Sequence, residues 1–180
     1  MKTQRQFLLL ALALLFSAGI FAQNNTMFLK VKAAKQGDIK GDVTEKGKEG
    51  QIRVTAYTHE IVSPRDAASG MATGKRQHKP FVITKEIDKA SPLLYNALSN
   101  NEMLPEVTLS FYRPAKAGSG ASAQWYTIRL SNAIISGIKA WTDDKGQPFE
   151  DVSLVYQRIA WTYTDGNVTF EDNANTQGKQ

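Results

Sequence analysis

The chain has 180 residues and a net charge of +5, with no cysteine. This length suits one domain whose core buries about 70% of the unfolded chain's surface, so no covalent or metal staple is required. The lack of cysteine excludes disulfides, thiolate metal sites and a cysteine nucleophile. The basic residues are scattered among acidic ones, a solvated mixed-charge surface rather than the basic stripe with stacking aromatics that a nucleic-acid binder needs.

Residues 1–22 read as a secretory signal peptide. Lys2 and Arg5 form a positive start, Phe7 to Phe16 an apolar run, and Ser17, Ala18 and Gly19 lead to Ala22 as the residue before the cut. The apolar stretch is shorter than the ~20 residues that span a bilayer, so cleavage is expected and no stable membrane insertion after it. Cleavage removes two basic residues and no acidic one, leaving a net charge of +3. The expected organisation is a leader over 1–22, a domain over 23–165 and a polar flexible tail over 166–180.

Met27 to Val31 reads as a first strand, and residues 34–50, polar and rich in glycine, as a loop or irregular arm. Gln51 to Val62 alternates as a strand, with Ile52, Val54 and Ala56 on one face. Ser63 to Lys79 carries Pro64, Gly70 and Gly74 and almost no bulky apolar residue. A stretch of that kind between two strands predicts a protruding loop that orders against a partner. Phe81 to Ile87 is a half-buried strand. Ser91-Pro92 opens a helix, serine as the cap and proline at the first helical position, and Leu93, Leu94, Ala97 and Leu98 give it an apolar face. Asn100-Asn101 and Pro105 stop it.

Glu106 to Arg113 follows as a strand with Val107, Leu109 and Phe111 on one face, then a hairpin tip over 114–123. Gln124 to Thr142 is a long strand expected to bulge or bend near Ser136-Gly137. After a turn at Asp143-Asp144-Lys145-Gly146, Asp151 to Tyr163 reads as one strand apolar on both faces. Long strands, one helix and no βαβ alternation predict a mainly β fold: a two-sheet barrel or sandwich with one flanking helix.

Catalytic chemistry finds no motif. His59 and His78 lack metal-ligand spacing, His59-Glu60 lacks the second histidine of a zinc-protease motif, and no glycine-rich phosphate loop is present. Asp143-Asp144 reads as a turn rather than a calcium loop. Trp125, Trp141 and Trp161 fall in strand patterns and read as packing residues. No enzyme activity and no cofactor are expected.

The run Ile-Thr-Lys-Glu-Ile-Asp-Lys-Ala-Ser-Pro-Leu-Leu over 83–94 resembles the signature of the Hcp family, the tube proteins of bacterial type VI secretion systems. Further blocks resemble the family in order: Met27 to Lys30, Ile39 to Asp42, Gln51 to Tyr57, Gly74 through Leu98, Glu150 to Leu154 and Ile159 to Tyr163. The resemblance implies a two-sheet barrel with a helix on its flank, six subunits in a ring, and rings stacked into a tube that carries secreted effector proteins. Spike and sheath proteins are implied as further partners. It places the helix residues Ser91, Pro92, Leu93, Leu94 and Tyr95 toward the lumen. It places the loop residues Pro64, Arg65, Asp66, Met71, Lys75 and Arg76 at the contact with a neighbouring ring. The leader departs from the family pattern, whose members assemble in the cytoplasm, and implies export to the periplasm. An exported carrier or chaperone ring and a monomeric periplasmic ligand-binding barrel are the alternative functions.

Overall fold

The computed structural model describes residues 25–114 and 122–174; the expected leader, most of the expected 114–123 tip and residues 175–180 lie outside the described residues. Ten of the strands form one continuous antiparallel wall. The first, β1 (Thr26–Ala33), pairs along one edge with β2 (Gly37–Ile39) and β3 (Ile52–Val54) and along the other with β8 (Leu104–Arg113). Strand β8 forms a hairpin with β9 (Ala123–Thr142). The far half of β9 pairs with β10 (Pro148–Val155), and β10 with β7 (Phe81–Glu86). Strand β7 pairs with β4 (Ala56–Thr58), which follows β3 after a bend at Thr55. The Ile52–Thr58 segment therefore passes from one sheet to the other and closes the barrel.

The long strand β9 is the second corner. Ile128 and Leu130 face the core, then Ala133 and Ile135 do, so the inward phase shifts by one residue between them. Asn132 sits at that step with φ 51°, a left-handed conformation that asparagine tolerates better than most residues. A second shift occurs at Ser136, where Gly137 pairs with Ser153 but Ile135 pairs with Leu154. This is the bulge expected near Ser136-Gly137, and it lets one strand serve both sheets.

Three sequence expectations are corrected. Gln51 to Val62 is not one strand: the Thr55 bend breaks its alternation, so Ala56 is exposed where Ile52 and Val54 are buried, and β5 (Ile61–Val62) leaves the barrel. Asp151 to Tyr163 is not apolar on both faces. It divides at Tyr156-Gln157 into β10 and β11 (Arg158–Tyr163), which pair with different halves of β9. Val152, Leu154 and Tyr156 face inward before the corner and Ile159 after it, while Val155 is exposed. One inward face with a phase shift imitates two. Finally, the segment read as loose tail contains β12 (Val168–Asn173), paired along its length with β11.

The core is Leu29, Val31, Ile52, Ile83, Leu109, Ile128, Leu130, Val152 and Ile159 with their neighbours, filling the space between the sheets. The 40–51 arm folds over the outside of β1. There Lys48 lies 4.6 Å above the Phe28 ring and 4.2 Å above Tyr112, covering the one buried β1 aromatic that faces away from the core. The arm approaches the barrel so closely at Gly41 that a Cβ there would meet the Gln51 carbonyl oxygen at 2.6 Å and the Ile52 Cα at 2.7 Å.

Candidate functional site

Helix α1 (Ser91–Ser99) docks through Ala90, Leu94 and Ala97, all buried. Its anchor is polar. Inward positions on β7 alternate as Phe81, Ile83 and Lys85, so the strand's own period carries a lysine into the core, where Lys85 is fully buried. Its ammonium is ringed by Glu150 Oε1 at 2.7 Å, the Glu86 carbonyl at 2.7 Å, Asp88 Oδ1 at 2.8 Å and Ser91 Oγ at 2.9 Å. The Ser91 hydroxyl also donates to Glu150 Oε1 at 2.8 Å, and it accepts the Asp88 N–H at 3.1 Å. Glu150 is fully buried on β10, and its Oε2 has no partner. Two of the sequence blocks thus meet at one buried ion pair that fastens the helix start to two neighbouring strands.

This corrects the role expected of Ser91. Its hydroxyl is engaged by Lys85 and Glu150 and caps nothing; the cap position is Ala90, and the Asp88 carboxylate accepts the Ala90 N–H at 3.0 Å. It also limits the lumen-side set. Ser91 and Leu94 are buried in this chain's own core and present nothing to a lumen, whereas Pro92, Leu93 and Tyr95 are exposed.

The 63–79 segment protrudes, but as a self-bonded ribbon. Strands β5 and β6 (Gln77–His78) pair at its base, and Arg65 bridges to Ala72 further out. At the tip the Asp66 N–H donates to the Met71 carbonyl at 2.9 Å, and Asp66 Oδ1 accepts the N–H and hydroxyl of Ser69 at 2.7 and 2.8 Å. Those Ser69 bonds hold the Asp66 carboxyl below its ordinary pKa. Arg65 donates to the Gly70 carbonyl at 3.1 Å. Arg65, Asp66, Met71 and Lys75 are exposed, Met71 to 70%, and Pro64 is half-buried.

Arg76 behaves differently. Its guanidinium makes a bidentate contact with Asp172 on β12, Nε to Oδ2 at 2.6 Å and Nη2 to Oδ1. His78 Nε2 reaches the same Oδ2 at 3.1 Å, and His78 Nδ1 lies 2.9 Å from the Tyr156 hydroxyl. His59 Nε2 lies 2.6 Å from that hydroxyl. His59 and His78 therefore share one tyrosine at the β10–β11 corner. Arg76's hydrogen bonds hold the Asp172 carboxyl below its ordinary pKa. Burial pushes His59 down and Tyr156 up. Sequence reasoning missed Lys85, Glu150, Tyr156 and Asp172; only the inward period of β7 offered a signal for Lys85.

Among the described residues, no group of three or more histidine or acidic side chains is arranged to hold a metal ion. No described helix is long and apolar enough to cross a membrane. The surface does carry large exposed apolar side chains besides Met71, including Val168 at 66% and Phe170 at 64%.

The sequence model of the family described as "Type VI secretion system effector, Hcp" matches residues 28–163. The "Major exported protein" of Pseudomonas aeruginosa is 36% identical over 162 residues, covering 81% of this chain and 93% of that protein. Among solved structures, Hcp1 of the E. coli EAEC 042 pathovar is 34% identical with a TM-score of 0.75, covering 83% of this chain and 98% of that one. The secreted protein Hcp3 of Pseudomonas aeruginosa is 31% identical with a TM-score of 0.70, covering 85% of this chain and 100% of that one.

Proposed function

This chain belongs to the type VI secretion Hcp family, and on that premise we propose that it is a ring-forming tube subunit: six copies close a ring, and rings stack into a tube that carries effector proteins. The observation that carries the reading is the protruding ribbon. Its tip is held by its own hydrogen bonds and presents exposed Met71 beside charged Arg65 and Asp66. A self-bonded projection of this kind is suited to docking on another surface without a large ordering cost. The further exposed apolar groups Val168 and Phe170 support assembly as well, because large exposed apolar side chains mark interaction sites.

In this reading Pro64, Arg65, Asp66, Met71 and Lys75 contact the neighbouring ring, and Pro92, Leu93 and Tyr95 form the exposed helix face toward the lumen. The protein works outside the cytoplasm, as the names "Major exported protein" and "secreted protein Hcp3" say of two of its relatives. Light scattering after size exclusion tests the ring. A mass six times that of the monomer is expected. A monomer across a hundredfold concentration range removes the tube and favours the ligand-binding barrel.

A further inference from the structure

The ribbon is held at its base by a strand that lies beyond the stretch the family's sequence model matches. The matched region ends at residue 163, whereas β12 occupies Val168–Asn173. Two residue pairs of ladder join β5 to β6, too few to fix the ribbon's direction alone. The side chains at its base do so instead. His59 and His78 converge on Tyr156, and Arg76 and His78 converge on Asp172, across sequence separations of 78 to 97 residues. Asp172 is 7% exposed, while Arg76 is half exposed, so the strand supplies the buried end of the pair and the ribbon its exposed end. Phe81 and Trp161 rings close on His59 from the barrel side, and among the described residues Asp172 is the one carboxylate that pairs with either imidazole.

We propose that β12 is a strap: through Asp172 it clasps Arg76 and His78 and sets the direction in which the ribbon is presented to a neighbouring ring. The clasp is a property of the single chain; its consequence for stacking rests on the proposed function above. A bidentate arginine–carboxylate pair is directional, which a simple apolar contact is not. Asp172 is therefore a positioning residue, and the residues at the ribbon tip are the contact.

The test compares the full chain with Asp172→Asn, Arg76→Gln and their double variant, and uses Glu171→Gln as control, since among the described residues Glu171 ion-pairs only with exposed Arg158, at 3.4 Å. Hydrogen exchange is followed over residues 61–79 and, for the barrel, over β8 and β9. Each single variant is expected to speed exchange in the ribbon about tenfold, as loss of a charge-assisted pair implies, with no further gain in the double variant and no change in the barrel. Because Arg76 is half exposed, Arg76→Gln folds even where Asp172→Asn does not. Wild-type exchange of the ribbon in Arg76→Gln overturns the strap, and so does a barrel that loosens as much as the ribbon. Sedimentation of the same variants reads stacking. A loosened ribbon with stacking intact leaves the clasp standing and overturns the ring-contact reading.

Discussion

Replacing Lys85 by methionine keeps the side-chain length and removes the charge. Glu150 then remains fully buried with neither oxygen facing a cation: Oε1 keeps only the Ser91 hydroxyl, and Oε2 already has no partner. At 2.7 Å the pair's attraction is about 6 kcal/mol at an effective dielectric constant of 20, an amount largely offset in the intact protein by the cost of desolvating both charges. Removal of one partner exposes that cost, and such truncations lose about 3–5 kcal/mol. Urea unfolding followed by the fluorescence of Trp125, Trp141 and Trp161 reads this directly. With a slope of about 2 kcal/mol per molar for a domain of this size, the midpoint should fall by roughly 1.5–2.5 M. Asp88 contributes less to the loss, because it is 13% exposed and also accepts the Ala90 N–H. A fall below about 0.5 M would refute the reasoning, since the Lys85–Glu150 pair would then be no more than a surface contact.

Gly41→Ala drives a methyl group into the Gln51 carbonyl and Ile52 Cα, backbone atoms that cannot rotate away, so a loss of about 1–3 kcal/mol is expected in the same assay. Acid should weaken the fold in two stages. His59 is held below 6.5 mainly by burial, so the unfolded chain takes up its proton first and stability falls as pH drops below 6.5; Asp172 is held below 3.8 mainly by Arg76, so a second loss follows below 3.8. Midpoints measured from pH 8 to 3 should show both stages, and His59→Gln should remove the upper one; an unchanged upper stage in that variant assigns it elsewhere. Arg65→Glu and Met71→Asp, on exposed tip residues, should leave the stability within about 0.5 kcal/mol of wild type while abolishing ring-on-ring sedimentation.

The sequence showed what depends on period and on local chemistry. Val107, Leu109 and Phe111 alternate inward on β8 as their spacing requires, and the weak strand formers Ser136 and Gly137 mark the bulge. What it hid depends on neighbours far along the chain. The corners at Thr55 and Tyr156-Gln157 contain neither glycine nor proline; they exist because the strand's partner changes, from β1 to β7 in one case and from one half of β9 to the other in the second. Val168 and Phe170 alternate with Thr169 and Glu171 in the pattern of a strand, but two exposed apolar residues in a polar setting are a weak signal until β11 supplies the ladder. Ser91 looked like a cap because serine before proline commonly is one; its hydroxyl instead meets two charged residues from strands 6 and 59 positions away.

The same distinction explains why a nine-residue helix is fastened by an ion pair. Leu94 and Ala97 give it a small apolar footprint, and apolar burial is non-directional, so packing alone would let so short a helix slide or rotate on the barrel. Four oxygens around one ammonium define a position. If this is the role of the network, stability and helix fixation should separate. Lys85→Met with Glu150→Leu removes both charges together and fills the space with apolar atoms, so it should recover most of the stability lost by Lys85→Met alone. Exchange of the amides of Leu94 to Ser99 should nevertheless stay faster than in wild type, while β8 and β9 amides return to their original rates. Equal protection of helix and barrel in the double variant would mean that the apolar footprint already fixes the helix, and that the buried charges add no positional constraint.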